Sequence, residues 1–65
     1  MIYINGAEKP ELAGKSIDEL LTSCGYRREL VAVEYNGEIL PKPKYSETLL
    51  KDGDCVEVVS FVGGG

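Results

Sequence analysis

Apolar positions recur with a period of two in residues 31–35 and in the last segment, residues 55–62. This period is typical of a β-strand that buries one face, because successive side chains point to opposite sides of the backbone. It predicts strands over residues 31–35 and 55–62, and the apolar run at residues 1–4 predicts a further strand. In the last strand, Val59 and Phe61 alternate with the core positions and are therefore predicted to point to the opposite face of the sheet.

An Asn-Gly pair directly follows each of the first two strands. The pairs Asn5-Gly6 and Asn36-Gly37 can adopt the positive φ angles that a two-residue type I′ hairpin turn requires. We therefore expect short antiparallel arms around residues 7–9 and 38–40.

Two prolines, Pro41 and Pro43, end the second hairpin, since proline cannot donate to a strand ladder. They favour an extended crossing segment, because the residue before a proline avoids helical backbone angles. A helical turn is expected within residues 45–50, with Leu49 or Leu50 in the core.

A helix is predicted to begin after Ser16, because Ser16 and Glu19 have the spacing of a capping box. The apolar stripe that follows at i, i+3, i+4 and i+7 consists of Ile17, Leu20, Leu21 and Cys24. Gly25 stands where a left-handed residue would end the helix. Cys24 is therefore expected to be a small buried hydrophobe rather than a persulfide relay or part of a disulfide. Cys55 follows the acidic Asp54, which disfavours a reactive thiolate, so it is also expected to be inert.

The order strand, strand, helix, strand, short strand, strand predicts an α+β fold with one mixed sheet. Four to five strands are expected, with the first and last parallel in the middle and the helix packed across one face. This is the β-grasp, or ubiquitin-like, roll; it is predicted for residues 1–62, with residues 63–65 as a flexible tail. The predicted core residues are Ile2, Ile4, Leu20, Leu21, Val31, Val33, Val56 and Val58.

The chain has 65 residues and a formal net charge of -4, which allows one small domain with little room for catalytic machinery. The acidic balance disfavours nucleic acid or an anionic membrane as a partner. Histidine, the commonest general base, is absent. Without a recognisable signal peptide or apolar span, we expect the protein to be cytoplasmic. We also expect a monomer that binds no cofactor or metal. The pair Arg27 and Arg28 is expected to be solvated rather than to bind phosphate.

Three glycines, Gly63, Gly64 and Gly65, follow the last strand without a polar linker. Glycine has no Cβ to obstruct a narrow channel, and its φ is free on both sides of zero. The reactive group that the segment offers is the α-carboxylate of Gly65. We expect Gly65 to be the modified residue, and Gly63 and Gly64 to thread into the active site of another protein.

Three motifs at fixed mutual spacing carry a family resemblance: NGEILP at 36–41, LKDGD at 50–54 and FVGGG at 61–65. The chain closely resembles the ThiS family, the sulfur carriers of thiamin biosynthesis, over essentially all of its length. Tyr35, which is more often aliphatic in such proteins, and Cys55, which is more often polar or basic, depart from the pattern without touching the tail.

The resemblance implies that a partner of the ubiquitin-activating type, a ThiF-like adenylyltransferase, uses ATP to adenylate the carboxylate of Gly65. A cysteine desulfurase relay would then convert it to a thiocarboxylate, the sulfur donor for a ThiG-like thiazole synthase. The protein would be a recycled cosubstrate and not an enzyme. Two alternatives stay open: a small subunit or carrier of the molybdopterin synthase type, and a ubiquitin-like modifier or binding module.

Apolar residues beside the tail are the predicted docking surface for these partners. Val59 and Phe61 lie next to the reactive end, and an exposed aromatic residue is a common interface anchor. Val62 is expected to guide the tail, and Tyr3, on the outward side of the first strand, to extend the patch.

Overall fold

Five β-strands and one α-helix build residues 1–61, the part of the chain that the computed structural model describes. The strands are β1 (Tyr3–Ile4), β2 (Ala7–Glu8), β3 (Val31–Tyr35), β4 (Glu38–Leu40) and β5 (Cys55–Ser60), and the helix is α1 (Ile17–Ser23). Short 3-10 helices cover Pro10–Leu12, Arg28–Leu30 and Lys42–Lys44. The predictions for Val62 and for residues 63–65 lie outside the described residues.

The strands form one mixed sheet in the order β2-β1-β5-β3-β4. β1 and β5 are parallel, with Ile4 opposite Val56, whereas the two hairpins and the β3–β5 pair are antiparallel. The side chain of Asn5 extends the parallel pair, because its Oδ1 accepts a hydrogen bond of 2.8 Å from the amide of Val58. The predicted central pairing of the first and last strands is confirmed, and the fold is a β-grasp.

Both Asn-Gly turns form as predicted. The φ angles are 50° at Asn5 and 85° at Gly6, and 53° at Asn36 and 88° at Gly37. Positive φ at both central positions matches the right-handed twist of the flanking strands, so each turn returns the chain directly into an antiparallel partner. The hairpin registers are therefore set by local sequence.

The capping box predicted for α1 is present. The hydroxyl of Ser16 accepts a hydrogen bond of 3.0 Å from the Glu19 amide, and the Glu19 carboxylate accepts one of 2.8 Å from the Ser16 amide. These reciprocal bonds satisfy amides that the helix itself leaves without acceptors. Gly25, with φ of 80°, follows the end of the helix as expected.

Replacing Ser16 with alanine is expected to lower the free energy of unfolding by about 1 kcal/mol, because the Glu19 amide loses its acceptor. Chemical denaturation followed by circular dichroism measures this loss. Ser46→Ala, at an exposed position outside α1, is the matched control and should change stability by less than about 0.5 kcal/mol. Equal effects of the two substitutions would contradict the role assigned to the cap.

Cys24 is exposed, so the prediction that it packs as a buried hydrophobe is wrong. The helix ends at Ser23, and Cys24 is its C-cap residue, beyond the part of α1 that lies against the sheet. The other three residues of the predicted stripe are buried, and Tyr26 packs against the core after the chain has turned. The short helix therefore has no sheet-facing position at i+7.

All eight predicted core residues are buried, as are Ile17 of the predicted helix stripe and Leu50, one of the two leucines expected to reach the core. The structure adds Leu12 and Tyr45. The expected extended segment after Pro41 is instead the 3-10 helix Lys42–Lys44, which is a correction to the sequence prediction. The fixed φ of proline is compatible with the first turn of a helix, so the two prolines start this turn rather than prevent it. The turn brings Tyr45 onto the core.

Candidate functional site

The open face is the surface of the sheet opposite α1, and it carries residues of the predicted docking surface. Along β5, Val56 and Val58 are buried on the helix side, whereas Val59 is 54% exposed. Phe61, directly after the strand, is 66% exposed. The predicted alternation of the last strand is confirmed, while docking itself stays a prediction.

Tyr3 lies on the same face but not beside Phe61. Its Cα partner is Cys55, at the start of β5, and Val59 lies four residues further along the strand. At about 3.3 Å per residue, this places Tyr3 roughly 13 Å from the row of Val59. The structure therefore brings Val59 and Phe61 together and leaves Tyr3 at the far end of the open face.

Ile39 is an exposed apolar residue of the open face that the sequence analysis did not single out. It is 67% exposed and lies opposite Glu34 in the β3–β4 pair. Ala32 lies opposite Val59 in the β3–β5 pair and is half-buried. The signal was available for Ile39, since a type I′ turn at Asn36-Gly37 fixes which residues of β4 face outward.

The C-terminal end of β5 is paired with the start of β3. β5 ends at Ser60, so Phe61 lies outside the strand that the sequence predicted to include it, and the prediction for Val62 lies outside the described residues. The last pair of β5 joins Ser60 to Val31, the first residue of β3, and the amide of Phe61 then donates a hydrogen bond of 2.7 Å to the carbonyl of Leu30. Leu30 belongs to the 3-10 helix Arg28–Leu30 rather than to β3, so this hydrogen bond joins the residue just after β5 to the residue just before β3.

A buried polar network lies at the opposite end of β5, around Asp54, which is 2% exposed. Its carboxylate accepts hydrogen bonds from the Tyr35 hydroxyl at 2.6 Å, the Asn36 side-chain amide at 3.1 Å, and the Lys51 amide and ammonium at 3.0 and 3.2 Å. Burial raises the pKa of Asp54, but these bonds together outweigh burial and lower the pKa below its ordinary value. The network joins the turn before β5 to the β3–β4 hairpin, so its role is structural.

Two cations are held together over the ring of Tyr45. The Cζ of Arg28 is 5.5 Å and the Nζ of Lys42 is 5.7 Å from the ring centroid. Arg28 also donates to the Lys42 carbonyl at 2.8 Å and lies 3.5 Å from the Asp18 carboxylate, while Lys42 donates to the Val31 carbonyl at 2.8 Å. These contacts fix the 3-10 helix at Lys42 against the fold. Arg28 is therefore held by neighbouring groups rather than only solvated as predicted, whereas the Arg27 side chain is 75% exposed.

Both cysteines, Cys24 and Cys55, are free and exposed. Among residues 1–61, no group of three or more His, Cys, Asp or Glu side chains is arranged to hold a metal ion. None of the helices described over this range combines the length and the apolar character needed to cross a membrane.

Residues 2–65 of the chain, which include the open face and β5, match the sequence model of the ThiS family. The chain belongs to the ThiS family. A similar relative of this ThiS-family chain is the sulfur carrier protein ThiS of Bacillus subtilis, which is 41% identical over 66 residues, covering 100% of both proteins. The ThiS of Thermus thermophilus is 38% identical over 65 residues, again across 100% of both.

Some relatives of this ThiS-family chain are much longer. The thiazole synthase of Paramagnetospirillum magneticum is 42% identical over 64 residues, which are 98% of this chain but 20% of that protein. The chain thus spans about a fifth of the length of the thiazole synthases that it matches. Among solved structures, the crystal structure of ThiS from Geobacter metallireducens has a TM-score of 0.77 and 36% identity, covering 98% of this chain and 97% of that one.

Proposed function

We propose that the protein is a sulfur carrier for thiazole formation in thiamin biosynthesis, with the Gly65 carboxylate as the group that carries sulfur. The observation that supports this most strongly is the ThiS-family match, which extends through the terminal glycines at residues 63–65. The full-length identity to the Bacillus subtilis sulfur carrier agrees with it. The same family match favours the thiamin pathway over the molybdopterin and modifier alternatives.

In the proposed chemistry, the Gly65 carboxylate attacks the α-phosphate of ATP in a ubiquitin-activating-type adenylyltransferase, and pyrophosphate leaves. A persulfide from a cysteine desulfurase relay attacks the acyl carbon, and AMP leaves with the electrons of the acyl–oxygen bond. A thiol then attacks the relay sulfur of the acyl disulfide; a new disulfide forms between the thiol and the relay, the thiol loses its proton, and the S–S bond breaks to release the thiocarboxylate. Water would compete for the adenylate, so the reaction needs an enclosed site that a slender glycine tail can enter.

The scaffold contributes positioning rather than catalysis in this proposal. The hydrogen bond from the Phe61 amide to Leu30 fixes the last described residue against the fold, and Val59 and Phe61 offer an exposed apolar contact close in sequence to the tail. Burial of an exposed aromatic side chain is a frequent source of binding energy at interfaces. In this proposal Val62 guides the tail, Tyr3 contacts the partner at the far end of the open face, and Gly63 and Gly64 lie in the partner's channel. The carrier would be a cytoplasmic monomer without a bound cofactor, and ATP would be bound by the partner.

The long relatives support thiazole synthase as one of the partners. In the Paramagnetospirillum magneticum protein, named thiazole synthase, a segment similar to this chain shares one polypeptide with a much longer remainder. A covalent link of this kind keeps two binding partners at a high effective concentration. We infer that the separate carrier binds a thiazole synthase as its sulfur acceptor.

Intact-mass spectrometry tests the proposed function. The untagged protein, incubated with its cognate adenylyltransferase, ATP, a cysteine desulfurase and cysteine, is expected to gain the mass difference of one sulfur replacing one oxygen. The same mixture without ATP is the control and should leave the mass unchanged. An unchanged mass in the complete mixture would refute the carrier role, and isopeptide conjugates in its place would indicate a modifier.

A further inference from the structure

Two glutamates face each other in the middle of the open face. Glu34 of β3 lies directly opposite Glu57 of β5 in the antiparallel pair, and both side chains are exposed. The Cβ atoms of such a pair are about 4.5–5.5 Å apart, and like charges directly opposite destabilise a sheet. None of the ion pairs within residues 1–61 includes either carboxylate. Within the described part of the chain, no ion pair therefore offsets the repulsion between the two carboxylates.

Apolar residues surround this acidic pair. Ile39 lies opposite Glu34 on the far side, so that Ile39, Glu34 and Glu57 form one row across three strands. Val59 and Ala32 form the next row toward the tail. A partner that covers Val59 and Phe61 on this face also covers or borders the two carboxylates and removes water from them. Removal of water from an ionised carboxylate is costly unless a cation replaces the water.

We propose that the open face is a docking surface for a thiazole synthase that presents a basic side chain, an arginine or lysine, between Glu34 and Glu57. An arginine suits the pair best, because its planar guanidinium can donate to two carboxylates at once. This inference rests on the proposed function and adds the chemistry of the partner's surface. Charge complementarity across an interface contributes to partner specificity and to the association rate more than to raw affinity.

One substitution in the acidic pair is expected to stabilise the free protein and to weaken its complex with thiazole synthase. Glu57→Gln removes one of the two facing charges and keeps the shape of the side chain. It is expected to raise the melting temperature of the free protein by about 1–5 °C, because the cross-strand repulsion disappears. It is also expected to weaken binding to the cognate thiazole synthase by about tenfold, because the partner's cation loses a carboxylate.

Glu38→Gln is the matched control. Glu38 is an exposed residue of the neighbouring strand β4 and lies opposite Tyr35. Because it precedes Ile39 in the strand, it belongs to the other face of the sheet. The substitution changes the net charge by the same amount but does not alter the open face. Binding should stay within about twofold of the wild-type protein, as expected for a rim charge.

Isothermal titration calorimetry with the purified cognate thiazole synthase measures these affinities at about 0.05 M and 0.5 M salt, where screening differs strongly. The wild-type protein should lose more affinity with salt than Glu57→Gln. Unchanged affinity of Glu57→Gln, or equal weakening by Glu38→Gln, would overturn the inference and leave the glutamates as solubilising groups. The mass exchange at Gly65 of the wild-type protein is measured without thiazole synthase, so failure of the proposed function is recognised separately.

Discussion

Deletion of Gly65 is expected to slow thiocarboxylate formation by more than about a hundredfold. The shortened chain still ends in a carboxylate, now on Gly64, but this group lies about 3.3–3.6 Å short of the point that the full tail reaches. A displacement of about 1 Å from the reactive geometry can already cost about a hundredfold in rate. A time course of intact mass with the adenylyltransferase, ATP and the sulfur source measures the loss.

Gly65→Ala is the control for this deletion, because it keeps both the chain length and the terminal carboxylate and adds only a Cβ. It separates the effect of tail length from the effect of a Cβ in the partner's channel. Its thiocarboxylate formation should be slowed less than that of the deletion variant. Melting curves of both variants should match that of the wild-type protein, since residues 1–61 are unchanged. Conversion of the deletion variant at the wild-type rate would contradict the assignment of Gly65.

The parts of the fold that could be predicted are those that local chemistry determines. Asn5-Gly6 and Asn36-Gly37 fix two hairpins through the positive φ of their own residues, and Ser16 with Glu19 fixes the start of α1 through two hydrogen bonds three residues apart. The central parallel pair of β1 and β5 followed from the order of the elements. Each of these inferences needed only neighbours in sequence or the exclusion of other topologies.

The core positions that escaped prediction depend on contacts between distant segments. Tyr45 follows two prolines and two lysines in a polar stretch, and its burial results from the packing of a 3-10 turn onto the core. Burial raises the pKa of its hydroxyl, which is a consequence of that placement rather than a sequence signal. Cys24 is the opposite case, a residue predicted to be buried that is exposed, because the apolar periodicity of the sequence continues past Ser23, where the helix ends.

The candidate site divides in the same way. Alternation along one strand was sufficient to place Val59 and Phe61 on the open face. The juxtaposition of Glu34 and Glu57 requires the register between β3 and β5, which are separated by a hairpin and a long connection. No pattern within either strand specifies that register, so the acidic pair becomes visible only when the two strands are aligned.

Replacing Asp54 with alanine is expected to lower the free energy of unfolding by about 3 kcal/mol. The Tyr35 hydroxyl, the Asn36 side-chain amide and the Lys51 backbone amide would lose their common acceptor. Each partly buried donor left without an acceptor costs about 1–3 kcal/mol, and water can relieve part of that cost here. Asp52→Ala is the matched control from the same turn, since the Asp52 side chain is 90% exposed and pairs with the N-terminal ammonium. Urea denaturation near neutral pH should show a loss of less than about 1 kcal/mol for the control.

The stability gap between the wild-type protein and Asp54→Ala is expected to depend on pH. The folded-state pKa of Asp54 is lowered, so its stabilisation is fully present above the unfolded-state pKa of about 3.9. It is lost as the pH falls through the folded-state pKa, because a protonated carboxyl accepts the surrounding hydrogen bonds poorly. Urea denaturation of both proteins at about pH 7 and about pH 3 should therefore show a smaller gap at the acidic value. A gap of equal size at both pH values would contradict an ionised Asp54 at the centre of the network.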